Sequence, residues 1–88
     1  NIKEAIMTNE KTNSEKYDDV FVNTFMVNQD DLNDLKYQDV LAWDSVGHMS
    51  MVAELEDIFN IEMDIDDIID LSDYKKGKKI ISKYGVKL

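Results

Sequence analysis

The sequence predicts an all-α chain: a four-helix bundle of three longer helices and a short third helix, with a long loop between helices one and two. Three observations predict it. Apolar residues recur at helical spacing in three separate stretches. No stretch alternates convincingly between apolar and polar residues as a half-buried strand does. The chain has 88 residues, 43% of them apolar, enough for one small core and not for a second.

Residues 1–13 read as a polar, partly ordered leader in which Ile2, Ala5, Ile6 and Met7 could form one helical turn. Residues 14–88 read as the helical domain. Ser14 is placed to cap a first helix running to about Met26, with Tyr17, Val20, Phe21 and Phe25 on one face and Asp18, Asp19 and Asn23 off it. Asn28 to Asp39 is a long polar connection. Leu32, Leu35, Tyr37, Val40 and Leu41 follow no period and are expected to pin it to the core. A connection of this length lets the first two helices pack antiparallel or nearly so.

Ser45 to Phe59 is the clearest helix. Gly47, Ser50, Glu54 and Asp57 form a polar stripe, and Val46, Met49, Met51, Val52, Ala53, Leu55, Ile58 and Phe59 fill the rest of the circumference. An apolar arc that wide predicts a largely buried helix, with Glu56 at its edge reaching solvent or a partner. Asn60 suits the left-handed stop. After a short connection, Ile65 to Leu71 predicts a short helix with Ile65, Ile68, Ile69 and Leu71 inward. Ser72 is then expected to cap a last helix, Asp73 to Lys83, whose inner face is Tyr74, Gly77, Ile80, Ile81 and Tyr84. Its lysines line the outer face, and Gly85 ends it.

The net charge is −9 and unevenly spread: all 19 acids lie between Glu4 and Asp73, and six of the ten lysines lie between Lys75 and Lys87. An acidic body argues against nucleic acid as a partner. It fits partners with basic docking surfaces, or acidity that serves solubility alone. The lysine-rich last helix reads as a solvated face or a second docking site. With no cysteine there are no disulfides, which fits a reducing compartment. No apolar run reaches the roughly 20 residues a membrane span needs, and no signal-peptide pattern opens the chain. A cytoplasmic monomer is expected.

Chemistry concentrates at Trp43-Asp44-Ser45-Val46-Gly47-His48-Met49. Ser45 opens a helix, where backbone N–H groups and the helix dipole favour an attached anion. A serine there suits a phosphodiester, which points to a modified carrier rather than a catalyst. Asp44, Ser45 and His48 are the residue types of a hydrolase triad, but Ser45 and His48 lie one turn apart on one helix with no oxyanion hole near them, and no nucleophile-elbow motif is present. A calcium loop starting at Asp64 would carry Ile69 where glycine is needed and Lys75 where glutamate is needed. One histidine and no cysteine exclude a zinc site. Trp43 reads first as apolar area packed over a loop, His48 as a surface or satisfied polar residue, and Met49 and Met51 as core residues able to adapt to varied apolar partners.

Asp44-Ser45 opening an apolar helix, followed by Leu55-Glu56-Asp57-x-Phe59, Ile61-Glu62, a short acidic helix and a final helix, resembles the acyl carrier protein family over roughly residues 15–85. The resemblance implies a four-helix acyl-carrier-like bundle that is not itself an enzyme. It implies 4′-phosphopantetheine attached to Ser45 by a transferase that uses coenzyme A and magnesium, with Asp44 helping to position Ser45 and to bind the transferase. It implies an acyl or aminoacyl thioester on the arm, an acyl- or aminoacyl-loading ligase or synthase, and a downstream acyl transferase or synthase. Val46, Met49, Val52, Glu56 and Asp57 would form the docking face, and the acyl chain would be shielded between helices two and three. Carriers of fatty acid synthesis commonly show acids at the positions of Gly47 and Ser50. The Trp-Asp-Ser-x-x-His arrangement instead looks like specialised carriers of surface-glycan, secondary-metabolite or aminoacyl-transfer pathways, with Trp43 and His48 as candidate contacts to the arm. The alternatives are a carrier for housekeeping fatty acid synthesis and an unmodified helical interaction module.

Overall fold

A computed structural model describes residues 11–88; the turn expected at Ile2 to Met7 lies outside the described residues. Among the described residues four α-helices follow one another: α1 (Asn13–Phe25), α2 (Ser45–Phe59), α3 (Ile65–Asp70) and α4 (Tyr74–Ser82). A 3-10 turn at Gln29–Asp31 interrupts the connection from α1 to α2. Among the described residues there is no β-strand, only an isolated antiparallel bridge between Lys36 and Asp73. No helix among them is long and apolar enough to cross a membrane.

The cap of α1 lies two residues before the expected one: Thr12, not Ser14, satisfies its first amides. The Thr12 hydroxyl accepts the Glu15 N–H at 3.1 Å, and the Glu15 carboxylate accepts the Thr12 N–H at 2.9 Å, a reciprocal capping box. Asn13 then donates from its side chain to the Lys87 carbonyl at 2.9 Å, tying this end to the chain's last residues. Met26, in the left-handed conformation with φ 56°, ends the helix. At the other end of the fold Asp73, not Ser72, caps α4, its carboxylate accepting the Lys76 N–H at 2.6 Å. Ser72 lies one residue before the cap, and its N–H donates to the Asp70 carbonyl at 2.7 Å.

One core runs through all four helices. Tyr17, Phe21 and Phe25 of α1 meet Trp43, then Met51, Val52 and Leu55 of α2, and Tyr74, Ile80 and Ile81 of α4. The contact of α1 with α2 is the main helix–helix interface. Trp43 stacks on Phe25 with centroids 4.6 Å apart and planes 11° apart, a pairing worth about 1 kcal/mol beyond the area it buries. Nearer the start of α1, the Tyr17 hydroxyl donates to the Tyr74 carbonyl at 2.6 Å. Gly77 makes room for it: a Cβ there would lie 2.1 Å from that hydroxyl. Burial pushes the Tyr17 phenol far up, and burial with the Asp18 hydrogen bond does the same to Tyr74.

The long connection is pinned by Leu32 and Leu35 in the core and by paired backbone bonds to the chain at the start of α4. Tyr37 N–H donates to Ser72 and Tyr74 N–H to Leu35, both at 2.9 Å. Leu41 is not an anchor; it is 98% exposed.

Two helices are less buried than their composition predicts. On α2 only Met51, Val52 and Leu55 are buried, while Val46 is 77% exposed and Met49, Ala53 and Ile58 also reach the surface. On α3, Ile65 and Ile69 point outward, each 70% exposed, and the buried residues are Asp67 on the helix and Leu71 just after it. The cause is geometric. A wide apolar arc covers more of the circumference than one core can touch, so each helix keeps an apolar sector outside. Asp67 tolerates its buried place because Lys83 meets it at 2.6 Å and the Tyr84 hydroxyl donates to it. Those two hydrogen bonds hold its carboxyl below the usual carboxylate range.

Candidate functional site

Asp44 fixes the start of α2. Its backbone is extended, and its carboxylate accepts the Gly47 N–H at 2.8 Å while its carbonyl accepts the His48 N–H at 2.8 Å. These bonds satisfy the third and fourth amides of the helix. Ser45, the first helical residue, is exposed with its neighbour Val46. Among the described residues nothing accepts the amide protons of Ser45 or Val46. The helix therefore presents two free donors and the positive end of its dipole beside the Ser45 hydroxyl.

Gly47 makes this corner possible. The chain folds back so tightly before the helix that a Cβ at Gly47 would lie 1.9 Å from the Ala42 carbonyl oxygen. A side chain at this position therefore requires the backbone to shift.

A crevice of about 300 Å³ opens beside Ser45. His48 and Met49 of α2 form one wall, and Ile65, Ile68 and Ile69 of α3 form the other. Tyr37, Leu71 and Ser72 close one end. The lining is overwhelmingly apolar, with no charged side chain.

Trp43 is not a surface contact for an attached arm. It is wholly buried, and its indole Nε1–H donates to His48 Nδ1 at 3.0 Å. His48 is half-buried, edge to edge with the indole at 6.3 Å between centroids, and its Nε2 lies 2.7 Å from the Ile68 carbonyl oxygen. His48 does line the crevice, with both ring nitrogens engaged. Of the residues expected on the docking face, Val46, Met49 and Asp57 are exposed. Val52 is a correction: at 1% exposure it belongs to the core. Glu56 is half-buried, its carboxylate accepting the Met63 N–H at 2.9 Å, so it ties the end of α2 to the next connection.

Sequence reasoning missed the contribution of Tyr37, Ile65, Ile69 and Ser72 to this site. The signal for two of them was present. Ile65 and Ile69 are four residues apart and share a face that lies away from Leu71. No group of acidic or histidine side chains able to hold a metal ion occurs among the described residues. No family model, curated protein or solved structure matches the chain.

Proposed function

We propose that this chain is a carrier of the acyl-carrier type, a non-catalytic tether modified at Ser45 by 4′-phosphopantetheine. The observation that carries this reading is the exposed Ser45 hydroxyl at a capped helix start on the edge of an apolar crevice. The residues present suit the group. Two free amides and the helix dipole favour the negative phosphodiester, Asp44 holds the serine's backbone in place, and the crevice offers apolar walls to whatever the arm carries. When bound, the group supplies a terminal thiol that holds an acyl or aminoacyl cargo as a thioester. Val46 and Met49, exposed within one turn of Ser45, together with Asp57 offer an apolar and acidic surface to a transferase and to the loading and receiving enzymes.

The close approach at Gly47 favours a specialised carrier over one that serves housekeeping fatty acid synthesis, because the acid common there would force the backbone to shift. The engagement of both nitrogens of His48 argues against a Ser45–His48 hydrolase, since no lone pair is left to activate the serine.

Incubation with coenzyme A, magnesium and a broad-specificity phosphopantetheinyl transferase, followed by intact-mass spectrometry, tests the proposal. The wild-type chain gains the mass of one phosphopantetheine and Ser45→Ala gains none. An unmodified wild-type chain, beside a control carrier that is modified in the same mixture, would end the reading.

A further inference from the structure

The imidazole of His48 links the crevice to the aromatic core. Phe25 stacks on Trp43 with planes 11° apart, His48 lies edge to edge with the indole in nearly the same plane, 13° apart and bonded through its N–H, and the imidazole also lines the crevice. The indole N–H can only donate, so Nδ1 is the acceptor and the ring proton sits on Nε2. That proton points to the Ile68 carbonyl.

The Ile68 carbonyl needs this donor. It lies in the last turn of a six-residue helix, where carbonyls lack intrahelical partners. The amide that could have reached it, that of Ser72, donates to Asp70 instead. A helix as short as α3 does not hold itself together in water, and two of its three apolar side chains, Ile65 and Ile69, face outward. Its position therefore depends on a few ties: Leu71 in the core, the Asp67 bonds to Lys83 and Tyr84, and His48. Only the last of these joins α3 directly to the helix that bears Ser45.

We infer that His48 is a positioning residue, a strut running from the Trp43 indole to the end of α3, which sets the separation of α3 from α2 and forms the inner wall of the crevice beside Ser45. It thereby limits how long an apolar cargo the crevice shelters. The part of this inference that concerns cargo rests on the carrier reading; the part that concerns α3 does not.

Two measurements on the full chain test it. In the unmodified protein labelled with ¹⁵N, the indole resonance is unambiguous because there is one tryptophan. His48→Ala is expected to move that resonance and to speed amide exchange in residues 68–71 by about tenfold, the effect of leaving a carbonyl without its partner. The amides of α1 keep their protection. His48→Gln, whose amide both accepts and donates, restores much of the α3 protection. Unchanged exchange in α3, or equal acceleration in α1 and α3 in the folded variants, overturns the strut. If His48→Ala does not fold, His48→Gln decides alone: protection of α3 near the wild-type level supports the strut and its loss overturns it.

In the modified protein, a ladder of straight-chain acyl groups loaded on the arm is exposed to hydroxylamine. Protection of the thioester should stop increasing at a shorter chain in the wild type than in His48→Ala, with His48→Gln following the wild type. An identical chain-length profile in all three overturns the role in cargo length. Failure of Ser45 to accept the arm would instead remove the carrier reading and leave the exchange result standing.

Discussion

Gly47 stands so close to Ala42 that a Cβ on the glycine would lie 1.9 Å from the alanine's carbonyl oxygen. The contact is with backbone, which cannot swing aside as a side-chain end can. The chain entering α2 lies against the first turn of the helix there, and Ser45 on that turn is exposed. Gly47→Ala is expected to destabilise the protein by about 1–3 kcal/mol, although alanine is otherwise favoured over glycine inside a helix by about 1 kcal/mol. Urea denaturation measures it, and a variant as stable as the wild type would show that the corner relaxes freely.

Asp44 holds the same corner through its cap to the Gly47 amide at 2.8 Å. Asp44→Ala should cost about 1 kcal/mol, whereas Asp44→Asn, which can still cap, should cost much less. Thermal denaturation of the three chains compares them. Equal losses for alanine and asparagine would mean that the charge, rather than the cap, is what matters.

Tyr17 and Gly77 are coupled by a hydroxyl. Gly77→Ala places a methyl 2.1 Å from the Tyr17 oxygen, with Leu71 also close at 3.0 Å, so the substitution should be destabilising in the native background. Tyr17→Phe removes the oxygen and its bond to the Tyr74 carbonyl, at about 1 kcal/mol. In the double variant the clash with oxygen is gone, so the two losses should sum to more than the combined loss. Strict additivity in urea midpoints would refute the contact.

The Asp67, Lys83 and Tyr84 cluster makes stability depend on pH at two ends. Lys83 and Tyr84 hold the Asp67 carboxyl below its ordinary range. Its contribution is thus present above about pH 4 and is lost as pH falls through its lowered folded value. The same contact raises Lys83, whose contribution is complete below about pH 10 and is lost as pH rises through its raised folded value. The difference in urea midpoint between wild type and Asp67→Asn should therefore be open at neutral pH and close towards both extremes. A gap as wide at about pH 2 as at neutrality would contradict the ion pair.

Much of this arrangement is legible in the residues. The bounds of α2, Ser45 to Phe59, follow from a helical period that stops at Asn60, and the structure has those bounds, with Asp44 as the cap. The buried faces of α1 and α4 follow from period in the same way. The caps were harder to read. Thr12 and Asp73 outcompete the neighbouring Ser14 and Ser72, since several side chains near a helix start can accept a hydrogen bond, and local backbone geometry selects among them. Asp67 was not legible as a buried acid, because its partners arrive from 16 and 17 residues further along the chain.

The sequence by itself determined that the chain is helical, where its main helices run, and that a serine opens the most apolar of them. Periodicity is a local property, and it records the angles between residues on one helix. It does not record which sector of a wide apolar arc meets another helix, because that depends on where the neighbours lie. The tertiary structure alone decided that Val46, Met49, Ile65 and Ile69 stay outside and that Val52 goes in. It also decided that Trp43 is sealed in the core with His48 joined to it and to Ile68. Packing left part of the apolar surface of α2 and α3 uncovered on both sides of a crevice, and Ser45 stands at its edge.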